Sequence, residues 1–133
     1  MEEILAMIIK RDTYLHKIDE ALQAVPVVVL IGARQVGKTT LMECIEAPGN
    51  KLYLNGQDAE VMELFQKYST IKNFLEINLS KKLNGYLFID EFQYIHGIST
   101  ILKLLVDRNK ELKIICSGSS SLDILQQVEE SMA

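Results

Sequence analysis

The sequence predicts an α/β fold built on a parallel sheet, and three observations carry that prediction. Short apolar runs alternate along the chain with segments of helical periodicity, the pattern of strand–helix–strand units. Val27-Val28-Val29-Leu30-Ile31 is β-branched and apolar on both faces, as a parallel strand covered by helices on each side must be. A loop bounded by Gly32 and Gly37 follows that run directly.

The elements are predicted in order. Ile4, Leu5, Ile8 and Ile9 share one helical face, and Asp12 offers an N-cap for a segment carrying Tyr14, Leu15, Ile18 and Leu22. Residues 1 to about 24 therefore read as a helical lead-in, which Pro26 stops. After the first strand and its loop, a short helix is expected from about Lys38 to Glu46, ended by Pro48-Gly49. Lys51-Leu52-Tyr53-Leu54 is the second strand. Val61, Leu64, Phe65 and Tyr68 mark a helix, and Ser69-Thr70 would cap another carrying Ile71, Phe74, Leu75 and Leu79. Gly85 precedes a third strand, Tyr86-Leu87-Phe88-Ile89. A helix with Ile98, Ile101, Leu102, Leu105 and Val106 follows, then a fourth strand from Leu112 to Cys116, then a last helix with Leu122, Leu125, Val128 and Met132.

Composition narrows the function. The 133 residues suit a single domain, and 48% hydrophobic with 24% charged residues is a globular balance. The net charge of −4 supplies no global field for nucleic acid or an anionic membrane. Met1-Glu2-Glu3 is acidic where a signal peptide would be basic, and the apolar run from Ala24 to Ile31 is far short of the roughly 20 residues that span a bilayer. No membrane association is expected. Cys44 and Cys116 stand outside any C-x-x-C spacing, which fits reduced thiols and a cytoplasmic protein.

Gly32-Ala33-Arg34-Gln35-Val36-Gly37-Lys38-Thr39 fits G-x-x-x-x-G-K-[ST] without a mismatch. The two glycines permit a tight backbone curve. Amides from about Arg34 to Thr40 then face an anion, aided by the dipole of the following helix. Lys38 would reach the β- and γ-phosphates of ATP, and the Thr39 hydroxyl would ligate the Mg²⁺ that bridges them. Gly32, Ala33, Arg34, Gln35, Val36, Gly37, Lys38, Thr39 and Thr40 thus form the expected nucleotide loop. For Arg34 two readings stay open: packing against the loop, or touching nucleotide.

Leu87-Phe88-Ile89-Asp90-Glu91 is an apolar strand ending in two acids. Asp90 sits where a Walker B aspartate holds Mg²⁺ through water, and Glu91 would polarise the attacking water. Ile114-Ile115-Cys116-Ser117-Gly118-Ser119 delivers small hydroxyls to a strand end, where ligands bind in open α/β sheets. Ser117 or Ser119 could contact the γ-phosphate or the attacking water, or could cap the last helix. Gln93 could orient water or contact a partner, or simply be a polar residue at a helix start. His16 and His96 lack a neighbouring ligand set, and Lys81-Lys82 reads as a solvated helix end.

These motifs together resemble an AAA-type ATPase of the P-loop NTPases, in the division with an additional strand and a catalytic glutamate. The wording is similar to a bacterial and archaeal group in Gly32 to Thr40, in Asp90-Glu91-Phe92-Gln93, where Phe92 replaces the usual aliphatic, and in Gly118-Ser119-Ser120. The resemblance implies a three-layer fold in which the fourth strand lies between the first and third, giving the order 1-4-3-2. It also implies a fifth strand and nucleotide-sensing arginines beyond Ala133, and a C-terminal domain often linked to DNA transactions or toxin–antitoxin loci. Residues 1–133 are therefore expected to be a single, truncated core domain lacking the fifth strand. The Val27 to Ile31 edge would then be unpaired, inviting self-association. A DNA or protein partner would act through the absent region.

The expected function is Mg²⁺-dependent ATP binding and hydrolysis, slow in isolation, because related enzymes often need an added arginine that supplies about 10³–10⁵ in rate. Two other readings are a nucleotide-binding switch or interaction module without significant hydrolysis, and a phosphotransferase. The second is disfavoured because Arg108 is the one arginine after Glu91, where a metabolite kinase needs an arginine-rich lid.

Overall fold

The computed structural model describes residues 6–10, 17–32 and 49–119. They form a five-stranded sheet in which every pairing is parallel. Strand β1 is Ala6–Lys10 and β2 is Val27–Gly32, with helix α1, Lys17–Ala24, between them. β3 is Lys51–Asn55, followed by helices α2, Ala59–Leu64, and α3, Tyr68–Asn78. β4, Gly85–Asp90, runs into a 3₁₀ turn at Phe92–Tyr94. Helix α4, Ile98–Arg108, then leads to β5, Leu112–Ser119.

The spatial order is β1-β2-β5-β4-β3. The four strands expected from the sequence are all present in the expected order, with the fourth, β5, between the first, β2, and the third, β4. The fold is α/β with helices on both faces of the sheet, as expected for a P-loop NTPase. The loop of residues 33–40, the expected helix of 38–46 and the expected last helix of 122–132 lie outside the described residues.

Residues 6–10 form a strand rather than part of a helix, and they pair with Val27–Ile31. Ala6-Met7-Ile8-Ile9 is a short apolar run that fits either a helix face or a buried strand, and periodicity cannot separate the two. The open hydrogen-bonding edge of β2 decides it, because those N–H and C=O groups must be paired when buried. The expected unpaired edge at Val27 to Ile31 is therefore covered, and that ground for self-association is removed.

Alternation along the strands divides the core. On one face α1 contributes Ala21 and Leu22, which pack with Val25 and with Val28, Leu30, Phe88 and Ile115 of the sheet; Tyr53 and Tyr86 lie against this layer. On the other face Val27, Val29, Leu87, Ile89, Ile114 and Cys116 meet Phe65, Ile71, Leu75, Leu102 and Leu105. Leu87 is completely buried. Burial also pushes the Cys116 thiol well above its usual range, so it behaves as a small apolar residue.

Local signals explain the helix ends. Asp58 accepts from the Glu60 amide at 2.9 Å and caps α2. Lys67, in extended conformation, precedes α3, so Ser69-Thr70 lie inside its first turn instead of capping it. Its side chain makes no cap bond. The chain leaves α2 at Phe65 and turns straight into α3, which sets the boundary before the serine. Arg108 stacks 4.7 Å from the Tyr68 ring centre, and Asn109 Nδ2 donates to the Tyr68 hydroxyl at 3.1 Å, tying the end of α4 to the start of α3.

β3 is joined to β4 by a close backbone approach as well as by its ladder. The Gly56 amide donates to the Asp90 carbonyl at 2.7 Å. A Cβ at Gly56 would stand 2.3 Å from the Glu91 carbonyl oxygen. Only glycine leaves room for this contact.

Two stability outcomes are expected from equilibrium urea denaturation. Leu87→Ala, which empties a fully buried site, should cost about 2–5 kcal/mol. Gly56→Ala should cost about 1–3 kcal/mol by overpacking the turn after β4, and a midpoint equal to the parent's would count against this close approach.

Candidate active site

The parallel register brings the C-terminal ends of β2, β5, β4 and β3 to one edge of the sheet. Leu30 is level with Ser117, Ile31 with Gly118, and Gly32 with Ser119. Ile89 is level with Cys116, and Asp90 with Asn55. The end of β2, where the glycine-bounded loop begins, thus adjoins the end of β5. The end of β4 lies on the other side of β5. Ligands of open α/β sheets bind outside this end of the strands.

Asp90 is the last residue of β4 and is only 7% exposed. It shares a strand face with Phe88, so its carboxyl emerges just beyond the apolar layer under α1. Three groups donate to it. Ser117 Oγ lies 2.5 Å from Oδ1, the Glu91 amide lies 3.0 Å from the same oxygen, and the Tyr53 hydroxyl lies 2.7 Å from Oδ2. Hydroxyls from the strands on either side of β4 therefore hold one carboxyl group. Desolvation raises the Tyr53 phenol well above its usual range, and its hydrogen bond to Asp90 and the charges of Asp90 and Glu91 raise it further. The phenol consequently stays a donor.

Glu91 is 8% exposed and adopts left-handed backbone angles, φ 51° and ψ 44°. A non-glycine residue pays about 1–3 kcal/mol for this conformation, and such strain gathers at functional sites. It turns the chain out of β4 into the 3₁₀ segment, where Gln93 Nε2 stands 3.4 Å from Glu91 Oε1. Gly118 on β5 lies against this segment. A Cβ there would stand 2.5 Å from Gln93 Oε1 and 2.9 Å from Phe92 Cε1.

The sequence-predicted residues divide as follows. Asp90, Glu91 and Ser117 are brought together and buried, and Gln93 joins them. Ser117 sits within β5 with its hydroxyl on Asp90. Ser119 ends β5 beside Gly32. Ala33, Arg34, Gln35, Val36, Gly37, Lys38, Thr39 and Thr40 lie outside the described residues. Sequence reasoning missed Tyr53, Gly56 and the packing role of Gly118. Tyr53 shows no local signal, because its partner lies 37 positions away. Glycines near strand ends are a recognisable hint of close backbone approach, but they do not say to what. Among the described residues no helix is long and apolar enough to cross a membrane.

Comparison with known proteins agrees with this geometry. An AAA domain family matches residues 24–133. Uncharacterized proteins of Mycobacterium bovis and of Mycobacterium tuberculosis are each 29% identical to the chain over 132 residues, 98% of this chain and 28% of theirs. The chain thus spans little more than a quarter of the length of these relatives. With parallel strands in the order expected of a P-loop fold and an acidic strand end beside the strand that leads into a glycine-bounded loop, the chain belongs to the AAA domain family.

Proposed function

We propose that this chain is the Mg²⁺-dependent ATP-binding and hydrolysing core of an AAA-type ATPase. The observation that carries the reading is the convergence of three strand ends: Gly32 beside Ser119, and Ser117 bonded to Asp90. A phosphate chain held by the loop after Gly32 would therefore face the two acids at the end of β4. Membership of the AAA domain family supports the same chemistry.

The donor set suits Mg²⁺. Hard cations of this size take oxygen ligands, often one or two carboxylates with water and substrate phosphates. The cluster offers two carboxyl groups and hydroxyls, while Cys116 points to the opposite face of the sheet. Thr39 and Asp90 would hold the ion, Asp90 through water. Bound Mg²⁺ supplies neutralisation of charge on the β- and γ-phosphates.

The remaining roles belong to the chain. The amides from about Arg34 to Thr40 and the Lys38 ammonium bind the phosphates. Glu91 places and polarises the attacking water, and Gln93 steadies the Glu91 carboxyl. Ser117 fixes Asp90, and Ser119, level with Gly32 in the strand register, contacts the γ-phosphate. The strained turn at Glu91 aims that side chain away from the direction the strand would give it.

Two variants test the assignment by nucleotide binding and phosphate release. Lys38→Ala should abolish measurable ATP affinity; unchanged affinity would refute the site. Glu91→Gln should bind ATP normally but release phosphate about 10²–10⁴-fold more slowly, the usual contribution of a positioned base. Equal background release by parent and variant would instead mark a nucleotide-binding switch.

A further inference from the structure

We propose that Tyr53 is a positioning residue for metal binding: its phenol holds the one Asp90 oxygen that remains open to the cation. The inference rests on the assignment of Asp90 as the Mg²⁺ carboxylate and adds a residue from a different strand.

Hydrogen-bond capacity decides which Asp90 oxygen stays open. A carboxylate offers about two acceptor positions on each oxygen. Oδ1 accepts from Ser117 Oγ and from the Glu91 amide, which fills both. Oδ2 accepts from the Tyr53 hydroxyl at 2.7 Å and keeps one position open. A metal-bound water would therefore donate to Oδ2, beside the phenol. Tyr53 is well placed to set the direction of that open position. Its ring lies against the apolar layer of Leu30, Phe88 and Ile115, and β3 is paired with β4 throughout its length. The phenol thus approaches from a rigid element, which gives second partners of metal ligands their effect.

The partition also explains why two different hydroxyl residues serve one carboxyl. Ser117, on β5, is short and follows Cys116, which is level with Ile89, so its hydroxyl reaches Oδ1 directly. Tyr53 is level with Phe88, two residues before Asp90, and needs the length of a phenol to reach Oδ2. Neither could take the other's place without moving a strand.

The test compares the affinity of the chain for a non-hydrolysable ATP analogue, by calorimetry, in Mg²⁺ and in EDTA. The readout is the factor by which Mg²⁺ tightens binding. Tyr53→Phe keeps the ring and removes only the hydroxyl. It should lower that factor about tenfold, at the lower end of the usual effect of outer partners on metal affinity, and leave affinity in EDTA unchanged. In an Asp90→Asn background the same change should have no further effect. A Tyr53→Phe factor equal to the parent's, or an equal loss in the Asp90→Asn background, overturns the role of Tyr53 while leaving Asp90 in place. An unchanged factor in Asp90→Asn alone overturns the metal assignment and this inference with it.

Discussion

The carboxyl of Asp90 is gripped from both flanks of its strand, by Ser117 on β5 and Tyr53 on β3, and that grip depends on parallel register across three strands. A slip of one residue in either pairing would send the hydroxyl to the opposite face of the sheet. The apolar layers prevent such a slip. Phe88 and Ile115 on one face, and Leu87, Ile89, Ile114 and Cys116 on the other, are all fully buried, so any slip would expose them or bury polar groups in their place. The hydrophobic core therefore acts on the site through geometry: it fixes which polar atoms can meet.

Around that grip the backbone is drawn unusually close. Gly56 leaves no room for a side chain where β3 meets the backbone at the end of β4, Gly118 lies close under the side chains of Phe92 and Gln93, and Glu91 holds a left-handed conformation. A strand end free of functional demands would relax by placing glycine at the strained position and larger residues at the close ones. Here the arrangement is reversed, with an acid at the strained position. Binding chemistry is thus obtained at some expense of local stability, a common balance at functional sites. The surrounding core holds the turn in place: Phe92 and Ile95 are each 2% exposed and pack with the helices on the far face of the sheet.

The edge of the sheet shows a second constraint. β2 leads into the glycine-bounded loop, and an unpaired parallel strand there would leave a row of buried amides without partners. β1 meets that requirement from the N-terminal side, pairing along Val27–Ile31. Both edges of β2 are consequently held, by β1 and by β5, which steadies the point from which the loop departs. The relatives from the two mycobacteria align with nearly the whole chain, at 29% identity, but extend over a much longer length. What the additional length does belongs to the whole proteins.

Much of the fold was legible in local pattern. The both-faces-apolar run at Val27 to Ile31, the acidic end of Leu87-Phe88-Ile89 and the serines after Ile115 each announce a strand and its functional end. These signals are local because burial on two faces and chemistry at a strand terminus are properties of consecutive residues. The strand at Ala6–Lys10 was not legible, since an apolar run as short as Ala6 to Ile9 has no period long enough to distinguish helix from strand, and the open edge of β2 made the choice. Tyr53 was not legible either. Nothing within β3 distinguishes a tyrosine that packs from one that holds a carboxyl 37 residues away. Consecutive residues specify which chemical groups stand at the strand ends. Which of those groups meet depends on strand order and register, and both are set by how all the apolar faces are buried together.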